Sequence, residues 1–497
     1  MSSSRPLFDV EFVADLLSVT KQTVVAWTES GRLKPVAKDS NGNPLFDWAA
    51  FASFPQVADM DEKKWKDFTS IKPRRKYTSI ELFAGGGGLA LGLERAGFNH
   101  ILLNEFMHEA CETLRFNRPN WNVVEGDVSK IDFRHLRGKV DVVSGGFPCQ
   151  AFSYAGNRAG FEDARGTLFF EFARVVKETQ PKIFIGENVR GLLTHDGGKT
   201  IATIRSVIAD LGYELVEPQV LKAIFYRVPQ KRERLLLIGV RKDLAAYFKF
   251  QWPQKAGRMY TVRDALKKSE LFDCDVPKSE GQKYPNRKAE ILAMVPPGGY
   301  WRDLPLKVQK EYMKKSFYLG GGKTGMARRL SWNAPSLTLT CAPAQNQTER
   351  CHPQESRPLT VREYARIQTF PDNWKFVGTQ AVQYKQIGNA VPVNLAYVVG
   401  LSVIDALNGF PRKCWDVKSD ISIKKTSDYS CGKQRQLPIT QLRLAIENKK
   451  SYKGAAKGKD AKKVVAKAKT KCNAKAGRLK SVKARYAKHG AGKGSRK

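Results

Sequence analysis

The stretch ELFAGGGGLALGLERAGF, residues 81–98, decides how this chain of 497 residues is read. Its first residues complete a strand read from Tyr77 to Phe83, and four consecutive glycines then lead into apolar residues at helical spacing. A strand that breaks into a glycine-rich turn and enters a helix brings backbone N–H groups close to an anion or a nucleoside. Outward from this stretch the same rhythm repeats. Strands are predicted at His100–Asn104, Val140–Val143, Ile183–Gly186 and Leu235–Val240, with helices near Glu109–Asn117 and Thr167–Glu178. Alternation of this kind predicts an α/β fold with a doubly wound, Rossmann-like sheet and ligands at the carboxyl ends of its strands.

Chemistry-bearing residues fall at those ends. Glu105 closes the second strand and Asp127 follows in EGDV, positions where ribose hydroxyls and an adenine amino group would be met. The glycine spacing is not a strict G-x-G-x-x-G. GGFPCQ at 145–150 puts Cys149 on a loop at the same edge. A nucleophilic cysteine needs exposure and a lowered pKa, and this placement offers the first. GENV at 186–189 presents Glu187, an acid or hydrogen-bond partner if its pKa is raised, or else a surface carboxylate. PQKRER at 229–234 sets Arg232 and Arg234 two residues apart, able to clamp a phosphate, a carboxylate or a base oxygen, or to decorate a solvated edge strand.

The formal net charge of +37 points to a polyanionic partner. It is uneven: from Lys449 to Lys497 nineteen Lys and Arg stand against the single Asp460, in a Lys/Ala/Gly-rich tail expected to be disordered. The eight cysteines are scattered without a C-x-x-C pair, which argues against a zinc site or a disulfide framework, and no metal is expected. Neither a run of eighteen apolar residues nor a secretory leader is found, so the chain reads as cytoplasmic and nucleoid-associated, with no membrane partner.

Nine ordered motifs make a resemblance plain: ELFAGGGG, NE, GDV, GGFPCQ, ARGTLFFE, ENV, QKRER, RPLTVREYARIQTFP and QYKQIGNAVP. Over about residues 78–405 the chain resembles the DNA (cytosine-5) methyltransferases. The resemblance implies S-adenosyl-L-methionine as cofactor, with Phe83, Gly85 and Gly87 contacting it, Glu105 on its ribose and Asp127 on its adenine. It implies Cys149 as nucleophile with Pro148 shaping its loop, Glu187 engaging the cytosine ring, Arg234 near the base oxygen and Arg232 supporting the site. Asn389 and Val391 of GNAVP would return to the cofactor side. Just before PQKRER the family usually has an Asn and then a Gly ahead of the Val-Pro, where this chain has Lys222 and Arg227; a local change in backbone or DNA contact is expected there.

The first residues also carry a resemblance. FVADLLSVTKQTVVAWTESGRLKP is similar to the winged helix-turn-helix of excisionase and MerR-type regulators, with Lys21, Gln22 and Thr23 opening a recognition helix toward a major groove. A small helical cap without a ligand is the plainer reading. The expected organisation is a helix-turn-helix domain at 1–60, a linker at 61–77, catalytic parts at 78–240 and 346–410, an irregular target recognition domain at 241–345 and the tail at 411–497. The expected function is site-specific methylation of carbon 5 of a flipped-out cytosine in duplex DNA, by a monomer serving a restriction-modification system. A tRNA cytosine-5 methyltransferase and an autoregulator binding its own promoter are the alternatives.

Overall fold

The computed structural model describes residues 7–39, 42–148, 168–320, 323–411 and 414. Cys149, the start of the helix expected at Thr167 and nearly all of the basic tail lie outside them.

The chain begins with β1 (Phe8–Asp9), α1 (Val10–Leu17), α2 (Lys21–Glu29), β2 (Ala37–Lys38), β3 (Pro44–Phe46) and α3 (Glu62–Thr69). Each helix of the first pair is started by a side chain that satisfies an orphan backbone donor. The Asp9 carboxylate accepts from the Phe12 N–H at 2.6 Å, and the Thr20 hydroxyl accepts from the Thr23 N–H at 3.1 Å. Ser18, in the left-handed region, ends α1 and turns the chain into α2. The three short strands form a small antiparallel sheet in the order β1-β3-β2.

The predicted sheet follows. Its elements are β4 (Tyr77–Leu82), α4 (Gly88–Ala96), β5 (Phe98–Glu105), α5 (His108–Asn117), β6 (Val123–Glu125), β7 (Val142–Gly146), α6 (Leu168–Thr179), β8 (Ile183–Asn188), α7 (Lys199–Asp210), β9 (Tyr213–Leu215), β10 (Gln219–Lys222), β11 (Gln230–Lys231) and β12 (Glu233–Arg241). Eight strands form one sheet in the order β10-β12-β8-β7-β4-β5-β6, with β9 also on β12. From β8 to β6 the strands are parallel; β12 runs antiparallel to β8. The chain goes from β4 outward through β5 and β6, then crosses to β7 and β8 on the other side. That reversal between β4 and β7 is where a doubly wound sheet opens a cleft at its carboxyl edge.

The described residues of 241–345 form short pieces, α8 (Val262–Leu266), α9 (Asn286–Ala293), α10 (Leu306–Met313) and β13 (Ser336–Leu337) with a few 3-10 turns, in keeping with their proline and glycine content. Their own apolar cluster gathers Ile291, Leu292, Trp301 and Leu304. Regular structure returns as α11 (Val361–Ile367), α12 (Gln380–Asn389) and α13 (Val393–Asn408). Helix α13 lies hard against α4: a Cβ on Gly92 would sit 2.3 Å from that of Ala396, so only glycine permits this approach. The stretch Gln380–Asn408 is long and apolar enough to cross a membrane by composition, but 83% of its most apolar window is buried in this core.

The two departures from the family's pattern are where the N-terminal region is tied down. The Lys222 ammonium donates to the Asp15 and Leu16 carbonyls and to the Ser18 hydroxyl, closing the C-terminus of α1. Arg227 holds φ at +53°, a conformation that glycine adopts without strain and other residues adopt at a cost of about 1–2 kcal/mol. The backbone there is therefore of the kind that glycine adopts readily. The Arg227 guanidinium instead pairs with Glu62 of α3 at 2.7 Å and packs on the Trp65 and Tyr260 rings. Phe12, Leu17 and Val24 share one apolar cluster with Leu221 of β10 and with Ile224 and Phe225 just after it. Lys231 completes the join, pairing with Asp15 at 3.5 Å over the Phe12 ring.

Candidate active site at the carboxyl edge of the sheet

At the end of β4 the chain is wound tightly. Phe83 has φ +57°, and Gly85 and Gly87 are also left-handed, at +54° and +87°. Left-handed phenylalanine is strained, and such strain gathers where backbone must face a ligand. Behind the turn, Trp374 is fully buried and donates its indole N–H to the Gly86 carbonyl at 3.2 Å. The Glu105 carboxylate reaches back from the end of β5: one oxygen accepts from the Gly85 N–H at 2.7 Å, the other from Phe106 and Met107. Asp127 follows β6 and caps a short helical turn by accepting from the Ser129 N–H, which lowers its pKa. A Cβ added at Gly85 or Gly126 would meet nothing within 4 Å, so open space lies beside both. Strands β4, β5 and β6 thus bring the turn, Glu105 and Asp127 to one edge. Val391 reaches the same place through its carbonyl, which a Cβ on Gly88 would strike at 2.3 Å. The Asn389 amide oxygen accepts from the Cys341 thiol at 3.1 Å.

Across the reversal point, β7 and β8 pair with Gly146 opposite Glu187. The two are so close that a Cβ on Gly146 would lie 2.6 Å from a Glu187 carboxylate oxygen. Arg234, from β12, closes on the other oxygen at 2.6 Å through Nε. Burial pushes the Glu187 carboxyl above its usual range, and the charges of Arg234 and then Arg232 only partly offset that. A carboxyl so placed takes up a proton more readily than a free one and yet stays oriented by its guanidinium partner. The arginines do not act as one clamp. Arg232 sits in the break between β11 and β12, 2% exposed, and donates to the carbonyls of Leu339 and Gly388. Burial, and next the charge of Arg234, depress its pKa to about 9. It joins the segment around Leu339 and the end of α12 to the sheet, while Arg234 faces Glu187. Pro148, exposed, is the last described residue before Cys149.

Two features were not foreseen from sequence. Glu81, inside β4, is completely buried, accepts from the Ser144 hydroxyl at 3.3 Å, and is pushed up to about 8 by burial. A lone glutamate in an apolar strand is the signal that marks it. The other is a group of potential cation ligands, His108, Glu112 and Glu125. Arg115 already occupies it, donating to Glu112 at 2.7 Å and Glu125 at 2.8 Å, and so supplies the balancing charge itself.

Comparison with known proteins agrees with this geometry. A family model described as C-5 cytosine-specific DNA methylase matches residues 77–405. The chain is 62% identical over 406 residues to the type II methyltransferase M.Eco47II of Escherichia coli, covering 82% of this chain and 97% of that one. It is 58% identical over 409 residues to M.PspPI of Psychrobacter sp. (strain TA137), covering 82% and 98%, and 49% identical over 347 residues to M.Sau96I of Staphylococcus aureus, covering 69% and 79%. A match running from the first residue of β4 into α13 takes in the whole parallel sheet and its carboxyl edge, and the chain belongs to the C-5 cytosine-specific DNA methylase family.

Proposed function

We propose that this chain methylates carbon 5 of a cytosine flipped out of duplex DNA, at one recurrent sequence, as a monomer and as the modification enzyme of a restriction-modification system. The observation that carries the reading is the buried Glu187–Arg234 pair at the reversal point, one residue pairing away from the strand that leads to GGFPCQ. Carbon 5 of cytosine is a poor nucleophile until a thiolate adds at carbon 6, and Cys149 is the thiolate. As that bond forms, charge builds at the ring nitrogen, where Glu187 places a proton. Arg234 orients the carboxyl and stands beside the base oxygen. With the methyl group on carbon 5, loss of the carbon 5 proton to solvent re-forms the 5,6 double bond and expels Cys149 as a thiolate, while the ring nitrogen returns its proton to Glu187. A stacked base cannot be reached in this way, so it must leave the duplex.

S-adenosylmethionine fits the other half of the edge: Glu105 suits a ribose diol, Asp127 an adenine amino group, and the strained turn with open space at Gly85 leaves room for both. When bound, it supplies a methyl group on a sulfonium. Phe83, Gly87 and the Val391 carbonyl shape the wall that holds it.

The purified chain should label duplex DNA with methyl groups from S-adenosylmethionine, and bisulfite sequencing of DNA from expressing cells should show protected cytosines at one sequence. Label confined to tRNA, or found on an exocyclic amine, would overturn the reading. Gly146→Ala supplies a finer check. Its methyl group must push the Glu187 carboxylate aside, and a misplacement of about 1 Å can cost on the order of a hundredfold in rate. The turnover rate should therefore fall roughly ten- to a hundredfold while thermal stability and DNA affinity stay near those of the unaltered chain.

A further inference from the structure

A cleft of about 660 Å3 opens between the α1–α2 turn and the strand ends that carry the site. Ser18, Val19 and Thr20 line one wall; Arg190, Lys222 and Arg234 line the other. Because Arg234 is also the partner of Glu187, the cleft adjoins the Glu187 pair itself. It is strongly basic: Lys231 and Arg232 also line it, and only Asp15 and Glu233 carry negative charge. Lys222 and Lys231 are spent on fixing the turn. Arg190 is not, since its side chain is 64% exposed and its ion pair with Glu233, at 3.1 Å, is one that water weakens and a phosphate can replace.

A helix-turn-helix unit that reads a separate promoter needs a turn and a second helix free to dock on that promoter. Here the turn is held at the Ser18 hydroxyl and the Asp15 and Leu16 carbonyls by Lys222, and again at Gln56, whose amide donates to the Leu17 carbonyl at 3.0 Å. Its exposed residues, Ser18 and Thr20, look into the enzyme's own cleft, and Lys21 and Gln22 continue exposed along α2.

We propose that the N-terminal helix pair is a fixed wall of the substrate-DNA cleft, and that the phosphodiester backbone flanking the flipped nucleotide lies between the α1–α2 turn and Arg190. This rests on the reading of the chain as a methyltransferase of duplex DNA. It gives Lys222 a purpose, that of holding the wall in place. It also makes the first turn of α2 part of how the enzyme grips its substrate.

Thr20 permits a test that separates charge from folding. It caps α2, and aspartate and asparagine both cap helices at least as well as threonine, so Thr20→Asp and Thr20→Asn should fold alike. Only the first adds a negative charge facing the phosphates. With the full-length chain and a duplex bearing the site found by bisulfite mapping, Thr20→Asp should raise Kd and the KM for DNA roughly five- to tenfold at low salt. The effect should shrink as salt rises, and kcat should stay within about a factor of two. Thr20→Asn should shift Kd and KM by no more than about twofold, with no added salt dependence. The proposal fails if Thr20→Asp binds the site duplex normally, if Thr20→Asn is weakened equally, or if Thr20→Asp loses affinity only for a promoter fragment without the site. Absence of methyl transfer by the unaltered chain would instead overturn the parent reading.

Discussion

A Cys149→Ala chain should transfer no measurable methyl group to DNA, a loss of at least about 10⁴-fold, while binding its site duplex as tightly as the unaltered chain. The scale follows from the role: removing a covalent nucleophile deletes the step that activates the substrate, and such losses in enzymes reach about 10⁴- to 10⁶-fold. Without addition at carbon 6, nothing makes carbon 5 nucleophilic, and neither Glu187 nor Arg234 can substitute for the missing bond. On the proposed reading, binding should be spared because basic groups away from Cys149, such as Arg190, carry the affinity for DNA. Methyl transfer measured with labelled cofactor, beside Kd from fluorescence anisotropy, separates the two effects. Undiminished transfer would remove Cys149 from the mechanism, and loss of binding together with transfer would mean that the substitution had disturbed the fold.

Most of the parallel sheet was legible because its strands are buried on both faces and its turns are punctuated by glycine. ELFAGGGG, GGFPCQ and GENV each show a strand ending in a residue with chemistry to perform, and β4, β7 and β8 place those ends side by side. Strand limits were less legible: β5 starts at Phe98 instead of His100, and β7 runs Val142–Gly146 instead of Val140–Val143. Hydrophobic pattern alone does not say where the ladder of hydrogen bonds begins.

Less accessible still was anything that depends on contacts distant in sequence. Arg232 and Arg234 read as a pair because strand periodicity puts alternate residues on one face. The break between β11 and β12 cancels that periodicity, sending Arg232 to the carbonyls of Leu339 and Gly388, more than a hundred residues away. Lys222 and Arg227 stood out as departures, yet nothing near them in sequence says that their partners are Asp15, Ser18 and Glu62. A second segment packed on the sheet explains both substitutions, and only the folded chain brings it there.

Glu81→Gln should stabilise the protein, by an amount that grows with pH. Glu81 opens the stretch that decides the fold and lies in β4, completely buried against β7 and α4. Two effects compete for its charge. The Ser144 hydroxyl and a backbone bond at Ala90, in the first turn of α4, favour the carboxylate, a helix start being worth up to about 2 kcal/mol to an anion. Burial opposes them and wins, raising the pKa from 4.5 to about 8. Below pH 4.5 the group is protonated folded or unfolded, so it adds no pH dependence. Between there and pH 8 the folded chain keeps a proton that the unfolded chain has lost, and stability falls by up to about 1.4 kcal/mol for each pH unit. Above pH 8 both states have lost it and the curve flattens. Glutamine imitates the protonated form at every pH. The gap in Tm between Glu81→Gln and the unaltered chain should therefore be small near pH 5, widen to the equivalent of a few kcal/mol by pH 8, and then stay level. Taking the difference between the two chains cancels every group that titrates alike in both, so the trend belongs to Glu81. A gap that did not change with pH would mean that Glu81 is ionised in the folded state, its charge carried by Ser144 and the start of α4 after all.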